Sequence, residues 1–325
     1  MSLKQLLTLL VKIDNPVRKY NHNLELIMNK ARVVIVKSQT TFAANGLPDP
    51  ASMLRMLRKG LEVLTRSSQA EDGLSQIFQP GENIGIKIST IGRRAISTYP
   101  ETAITLGLWL GKTFGREDKI IIWDRTDEEL KDAGYKLSRS AGNLRIFGTD
   151  SPGVGYRPEP VVNRNVASLF SKIQADLVDA SISLALLKDH GLAGITGGMK
   201  NYFGTIHNPN KYHDTNCNPY VADLFEIDLI RKKHRLTILD ALRVQYHRGP
   251  SYHPQWNERV NQLIFGLDPV AVDAVGWKLI EDLRTKKGLP PLQEERREPV
   301  YLKTAENLGL GFARLENIEI IEEEV

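Results

Sequence analysis

Seven short runs rich in β-branched and aliphatic residues recur along the chain. They are Ala31 to Lys37 (ARVVIVK), Ile84 to Ile88 (IGIKI), Lys119 to Trp123 (KIIIW), Ile182 to Leu187 (ISLALL), Leu236 to Asp240 (LTILD), Gln262 to Leu267 (QLIFGL) and Ile318 to Ile321. Runs of this length bounded by polar residues predict strands. Helix-patterned segments separate them. Asp49 to Leu64 places Met53, Leu54, Leu57, Leu61 and Leu64 on one face, with Pro50 in the first turn. Pro100 to Phe114, Asp127 to Ala133, Val166 to Leu177, Tyr220 to Arg231, the stretch from Asp268-Pro269 to about Arg284, and Tyr301 to Leu308 also read as helices. Parallel neighbours need a long crossover, usually a helix, so this alternation predicts an α/β fold. The expectation is a mainly parallel sheet with helices on both faces, built as one body or as two lobes with the site between them. One α/β domain is expected over 31–325, preceded by an N-terminal helix and arm over 1–30. No GxGxxG follows the first strand and no GxxxxGK[ST] occurs, which argues against a standard dinucleotide fold or a P-loop ATPase.

Composition narrows the function classes. No apolar run reaches the roughly 18 residues that a membrane span needs. Met1 to Ile13 is the one candidate targeting segment, but it is short, with one lysine and no small-residue cleavage site after it. The chain as written reads as cytoplasmic, and as exported if a signal has been trimmed. Forty-three basic residues stand against 39 acidic ones, for a net charge of +4. The basic residues cluster only in short groups such as Arg231 to Arg235, which predicts a solvated helix end and no nucleic-acid partner. Cys217 is the single cysteine, so neither an internal disulfide nor an iron–sulfur cluster can form.

The chemistry gathers in Leu184 to Pro219, where a hydrophobic run breaks into a glycine-rich polar stretch. It holds His190, Lys200, His207 and His213. Lys200 stands among Met199, Tyr202 and Phe203; a buried ammonium there lowers its pKa or meets an anion, and otherwise it reaches out to solvent. Three imidazoles on one loop could reach a divalent metal such as nickel, zinc or iron; the alternative is that they hydrogen-bond backbone or face water. Other polar residues fall where strands end: Lys87, Asp124, Arg125, Lys188 to His190, Asp240 and Asp268. The carboxyl ends of parallel strands share an edge where ligands bind, so convergence is expected. Arg93-Arg94 could clamp a carboxylate or phosphate, or stand as an exposed pair. Asp273, inside an apolar helix, could orient a histidine or lysine of the site. Gly148 to Arg164 is the candidate lid.

The runs LLKDH, AGITGGMKNYFGTIHNPNKYH, TILDALRVQYHRGP and LDPVAVDAVGW together resemble the family called domain of unknown function 362. The IGIKIST, ISTYPE and IIIWDRT segments fit it too, so the resemblance spans roughly residues 31 to 312. Some members of that family carry ferredoxin-like cysteine clusters, and many related proteins are exported. A shorter stretch, His190 to Lys200, resembles the His…Gly-Gly-x-Lys segment of nickel-pincer lactate racemases. That likeness implies Lys200 as covalent anchor of a pincer nucleotide, His190 as an acid/base, and His213 or His207 as the metal ligand. Asn201 and Lys87 join Lys200, Arg93 and Arg94 as candidate cofactor contacts.

The resulting expectation is an enzyme that uses a metal or lysine-linked cofactor for proton or hydride chemistry on a small carboxylate-bearing molecule. The alternative is a non-catalytic anion- or metal-binding accessory protein. The oligomeric state stays open.

Overall fold

The computed structural model describes residues 30–140 and 142–325. The helix and arm expected over 1–30 lie outside the described residues, apart from Lys30. Strands β1 (Ala31–Lys37), β2 (Ile84–Lys87), β3 (Ile120–Asp124), β4 (Arg145–Gly148), β7 (Ala180–His190), β8 (Gly194–Thr196), β9 (His234–Gln245), β10 (Asn257–Gly266) and β11 (Ile318–Glu324) form one sheet. Its order is β11-β1-β10-β9-β7-β2-β3-β4, with β8 folded back on β7. Five ladders are parallel: β11 on β1, β9 on β7, β7 on β2, β2 on β3, and β3 on β4. The expected α/β class with a mainly parallel sheet is what forms. Two strands depart from it: β10 is antiparallel to both β1 and β9, and the short β8 is antiparallel to β7.

Helices cover both faces because side chains alternate along each strand. In β1, Val34 and Val36 turn toward one core with Met53, Leu74 and Leu106. Those three come from α1 (Pro50–Thr65), α2 (Ala70–Ile77) and α3 (Pro100–Phe114). Val33 and Ile35 turn toward the other core with Val221, Val272 and Tyr301. The helix starts follow local chemistry. The Asp49 carboxylate accepts from the Ser52 amide at 2.8 Å ahead of Pro50. Thr126 caps α4 (Asp127–Asp132). The remaining helices are α5 (Gly198–Asn201), α6 (Tyr220–Glu226), α7 (Asp228–Arg231), α8 (Pro269–Lys286) and α9 (Tyr301–Asn307).

Several boundaries differ from expectation. β7 runs on to His190 and β9 to Gln245, because their polar carboxyl ends are buried and partnered. Val166 to Leu177 is not one helix. Val166–Ser168 (β6) pairs with Val161–Asn163 (β5), and only Ile173–Leu177 coils. The last strand runs past Ile321: Glu322 to Glu324 continue β11 in register with Ile35 to Lys37, and Lys37 ion-pairs with Glu322. In the Arg231 to Arg235 cluster, Lys233 is not simply solvated. Its ammonium donates to the carbonyls of Gln174, Ala175 and Val178 at 3.0, 2.8 and 2.8 Å.

Candidate functional site

At the carboxyl ends of β2, β3 and β7 lies a cavity of about 330 Å³. Lys87, Asp124, Arg125, Lys188, His190, Lys200, Asn201 and His213 all line it. Asp240 and Asp268, also expected at this edge, do not. β9 extends beyond Asp240, leaving its carboxylate in the core with the Leu242 amide at 3.1 Å. β10 runs antiparallel to β9, so its carboxyl end and Asp268 lie at the opposite edge. There Asp268 caps α8, accepting from Val270 and Ala271, and also from Phe312.

Lys87 is a neutralised cation. Its ammonium donates to Asp124 at 2.6 Å, to the Ile88 carbonyl at 2.7 Å and to Asn201 at 3.2 Å. The other oxygen of Asp124 accepts from the amide and hydroxyl of Thr90. Asn201 in turn donates to the Lys87 carbonyl at 2.8 Å and to the Ser183 hydroxyl at 3.0 Å, locking α5 onto β2 and β7. Burial pushes Lys87 below the ordinary lysine range, and Asp124 pulls the other way.

Lys188 and Lys200 have no such partner. Among the described residues Lys188 reaches only two backbone carbonyls, Ile96 and Pro250, both at 3.5 Å. Lys200 meets the Nε2 atom of His213 at 3.2 Å and lies over the Phe203 ring at 4.4 Å. Among the described residues neither ammonium forms a salt bridge with a carboxylate. Burial lowers each to about 8, and repulsion from Lys200 adds to the effect on Lys188. Uncompensated buried cations are costly, and an anion in the cavity relieves the cost.

The two histidines stack beside them, ring centroids 5.6 Å apart. His190 accepts at Nδ1 from the amides of Leu192 and Ala193 at 3.2 and 3.1 Å, which leaves the proton on Nε2. His213 donates from Nδ1 to the Pro209 carbonyl at 3.0 Å, so its Nε2 offers the lone pair that Lys200 meets. Burial and the neighbouring cations push His190 down to about 2 and lower His213 as well.

Two devices hold these groups in place. Asp273 of α8 accepts from the amides of Gly198 and Met199 at 2.6 and 3.0 Å, gripping the turn that carries Lys200. A Cβ on Gly197 would stand 2.4 Å from that carboxylate, so the glycine is required by the close approach. Burial lifts Asp273 to about 7 in spite of the two amide bonds. Behind β7, Asp189 accepts from Arg297 at 2.5 Å and from the Gly249 amide at 2.6 Å, with Arg284 at 4.0 Å. This pins the strand end from the face opposite Lys188 and His190.

The family described as Domain of unknown function (DUF362) matches residues 95–278, more than half of the chain. The chain belongs to that family. In this DUF362 chain the matched region holds Asp124, Lys188, His190, Lys200, His213 and Asp273, whereas Lys87 precedes it. No curated protein matches. A crystal structure of a Thermotoga maritima protein from a structural genomics consortium aligns at 10% identity with a TM-score of 0.41. The alignment covers 74% of this chain and 60% of that one, so the DUF362 chain spans about three fifths of the length of that structure.

The other expected site residues lie elsewhere. His207 is exposed, with its ring edge-on to Tyr156 at 5.1 Å, and does not line the cavity. Arg93 is exposed at the surface, 3.5 Å from Asp132, and Arg94 lines a separate small cavity of about 30 Å³. The Gly148 to Arg164 excursion forms no lid here. Val154 packs with Trp123 and Phe147, Arg157 pairs with Asp176, and none of these residues lines the cavity. Lys188 is the residue that reasoning from sequence undervalued. Had Lys188-Asp189-His190 been read as strand, period two would have set Lys188 and His190 on one face.

Proposed function

We propose that the DUF362 cavity binds a small carboxylate-bearing molecule and moves a proton on it. The observation that carries this reading is the pair of buried ammoniums, Lys188 and Lys200, on one cavity with no carboxylate partner among the described residues. A bound carboxylate would supply the missing charge. Lys200 then has a second use. While Lys188 keeps the carboxylate, the fraction of Lys200 that has released its proton, its pKa being about 8, can act as a base, and the His213 lone pair at 3.2 Å can share that proton. His190, neutral with its proton on Nε2, is suited to donate a hydrogen bond to developing negative charge.

A metal centre made by the protein alone has less support. Among the described residues no group of three or more His, Cys, Asp or Glu is placed to hold an ion. The carboxylate that lines the cavity, Asp124, is occupied by Lys87 and Thr90. A lysine-linked cofactor would use Lys200 as its attachment point, and the intact mass of native protein reads that directly.

The test is calorimetric titration with small 2-hydroxy and 2-amino carboxylates, together with NMR detection of solvent deuterium entering their α-carbons. Binding that weakens at least tenfold in Lys200→Ala, with exchange lost in His190→Gln, is the expected result. Binding without exchange supports the accessory-protein reading. No binding, or binding indifferent to Lys200, overturns the proposal.

A further inference from the structure

The cavity is graded from charge at its floor to grease at its mouth. Lys188 is 1% exposed and Lys200 7%. Of nine large apolar side chains exposed among the described residues, two stand on this one cavity: Ile91, 59% exposed, and Leu192, 46%. Phe203 and Pro250 line it as well. Exposed aliphatic side chains cost little singly, but two on the mouth of a cationic cavity form a surface that an apolar body can cover. The volume agrees. About 330 Å³ is some ten times the roughly 30 Å³ share of a water molecule, so a bare two-carbon acid leaves most of it empty.

We propose that the ligand is an amphiphilic carboxylate, with its head at Lys188 and Lys200 and an apolar chain of several carbons covered by Ile91 and Leu192. This rests on the anion reading of the same site and adds the rest of the molecule. The head alone is recognised by charge, and that contribution is the same for every member of a homologous series. The chain is recognised by area removed from water, which grows with each carbon until the mouth is filled.

Straight-chain carboxylates from acetate to octanoate, titrated at pH 7 by NMR or competition calorimetry, provide the test. Affinity in the unaltered protein is expected to rise about two- to fourfold per added methylene. In a double variant, Ile91→Ser with Leu192→Ser, acetate should bind as before while the gain over the outer carbons disappears. Both positions are exposed, so the fold should tolerate them; a thermal melt verifies this. A Lys200-dependent series with no gain per carbon overturns this inference alone, as does a gain that survives the double variant. Acetate binding that ignores Lys200→Ala overturns the anion reading itself, and binding of no member overturns both.

Discussion

The Nζ atom of Lys200 lies 3.2 Å from Nε2 of His213, and that imidazole is its only side-chain hydrogen-bond partner among the described residues. A buried ammonium that leans on a neutral ring holds its proton weakly. Anion affinity should therefore be full below about pH 8 and fall about tenfold per unit above it for each lysine that must be charged. Calorimetry between pH 6 and 10 measures this, and Lys200→Ala should flatten the curve. Stability moves the other way. Both lysines titrate below their ordinary 10.5, so their contribution is present above that pH and is lost as pH falls through about 8. Added carboxylate should raise the melting temperature most below pH 8.

Removing the Asp273 grip should loosen Lys200 as well as the fold. Asp273→Ala leaves the Gly198 and Met199 amides without their acceptor, at a cost of about 2–4 kcal/mol. Gly197→Ala forces a methyl to within 2.4 Å of the same carboxylate and should cost about 1–3 kcal/mol. Denaturant midpoints report both losses. Anion affinity at pH 7 should drop in each variant that still folds.

Arg297→Met should destabilise by about 3 kcal/mol, because Asp189 is fully buried and would keep only the Gly249 amide and the more distant Arg284. Asp189 already sits above the usual carboxylate range through burial, and losing Arg297 raises it further. A raised carboxyl is best tolerated when protonated. The variant should lie closest to the parent below about pH 4 and fall behind as pH rises through the new value. Melts across pH 4 to 8 follow this, and adding Asp189→Asn should recover much of the loss at neutral pH.

His190 should be silent in titrations. Burial and three nearby cations hold it down to about 2, so its ring nitrogens should keep one tautomer, protonated at Nε2, from pH 5 to 9. Nitrogen-15 shifts of the imidazoles test this. An inflection near pH 6 assigned to His190 would mean that water reaches the ring and that its burial does not hold in solution.

The sheet was legible because apolar strands such as KIIIW and ARVVIVK are marked by composition alone. What escaped were strand ends whose polar residues are buried. Lys188 and Asp189 look like a loop by hydropathy, and the burial of Asp189 rests on Arg297, 108 residues away, together with the Gly249 amide and Arg284. No local pattern carries that information. The direction of β10 was equally invisible, since QLIFGL reads the same in either sense and Asp268 was placed at the wrong edge in consequence. In the candidate site, His207 and His213 share a loop and a residue type. They differ in that the 3-10 turn Pro209–Tyr212 brings one ring to Lys200, while the other meets Tyr156. Spacing could not separate them. Asp273 is expected from its apolar helix to orient a histidine or lysine of the site; that it acts through the amides of Met199 and of Gly198, the latter 75 residues away, is written in no local pattern.

The alternation along the end of β7 has a consequence for how the chain can change. Lys188 and His190 face the cavity and Asp189 faces Arg297, and β8 pairs with all three residues through Thr196, Ile195 and Gly194. Adding or deleting one residue within β7 would turn an acid into the cavity and drive a lysine against two arginines, so the chamber would lose one cation and gain one anion in a single step. Within the strand, parity decides which charge the cavity receives.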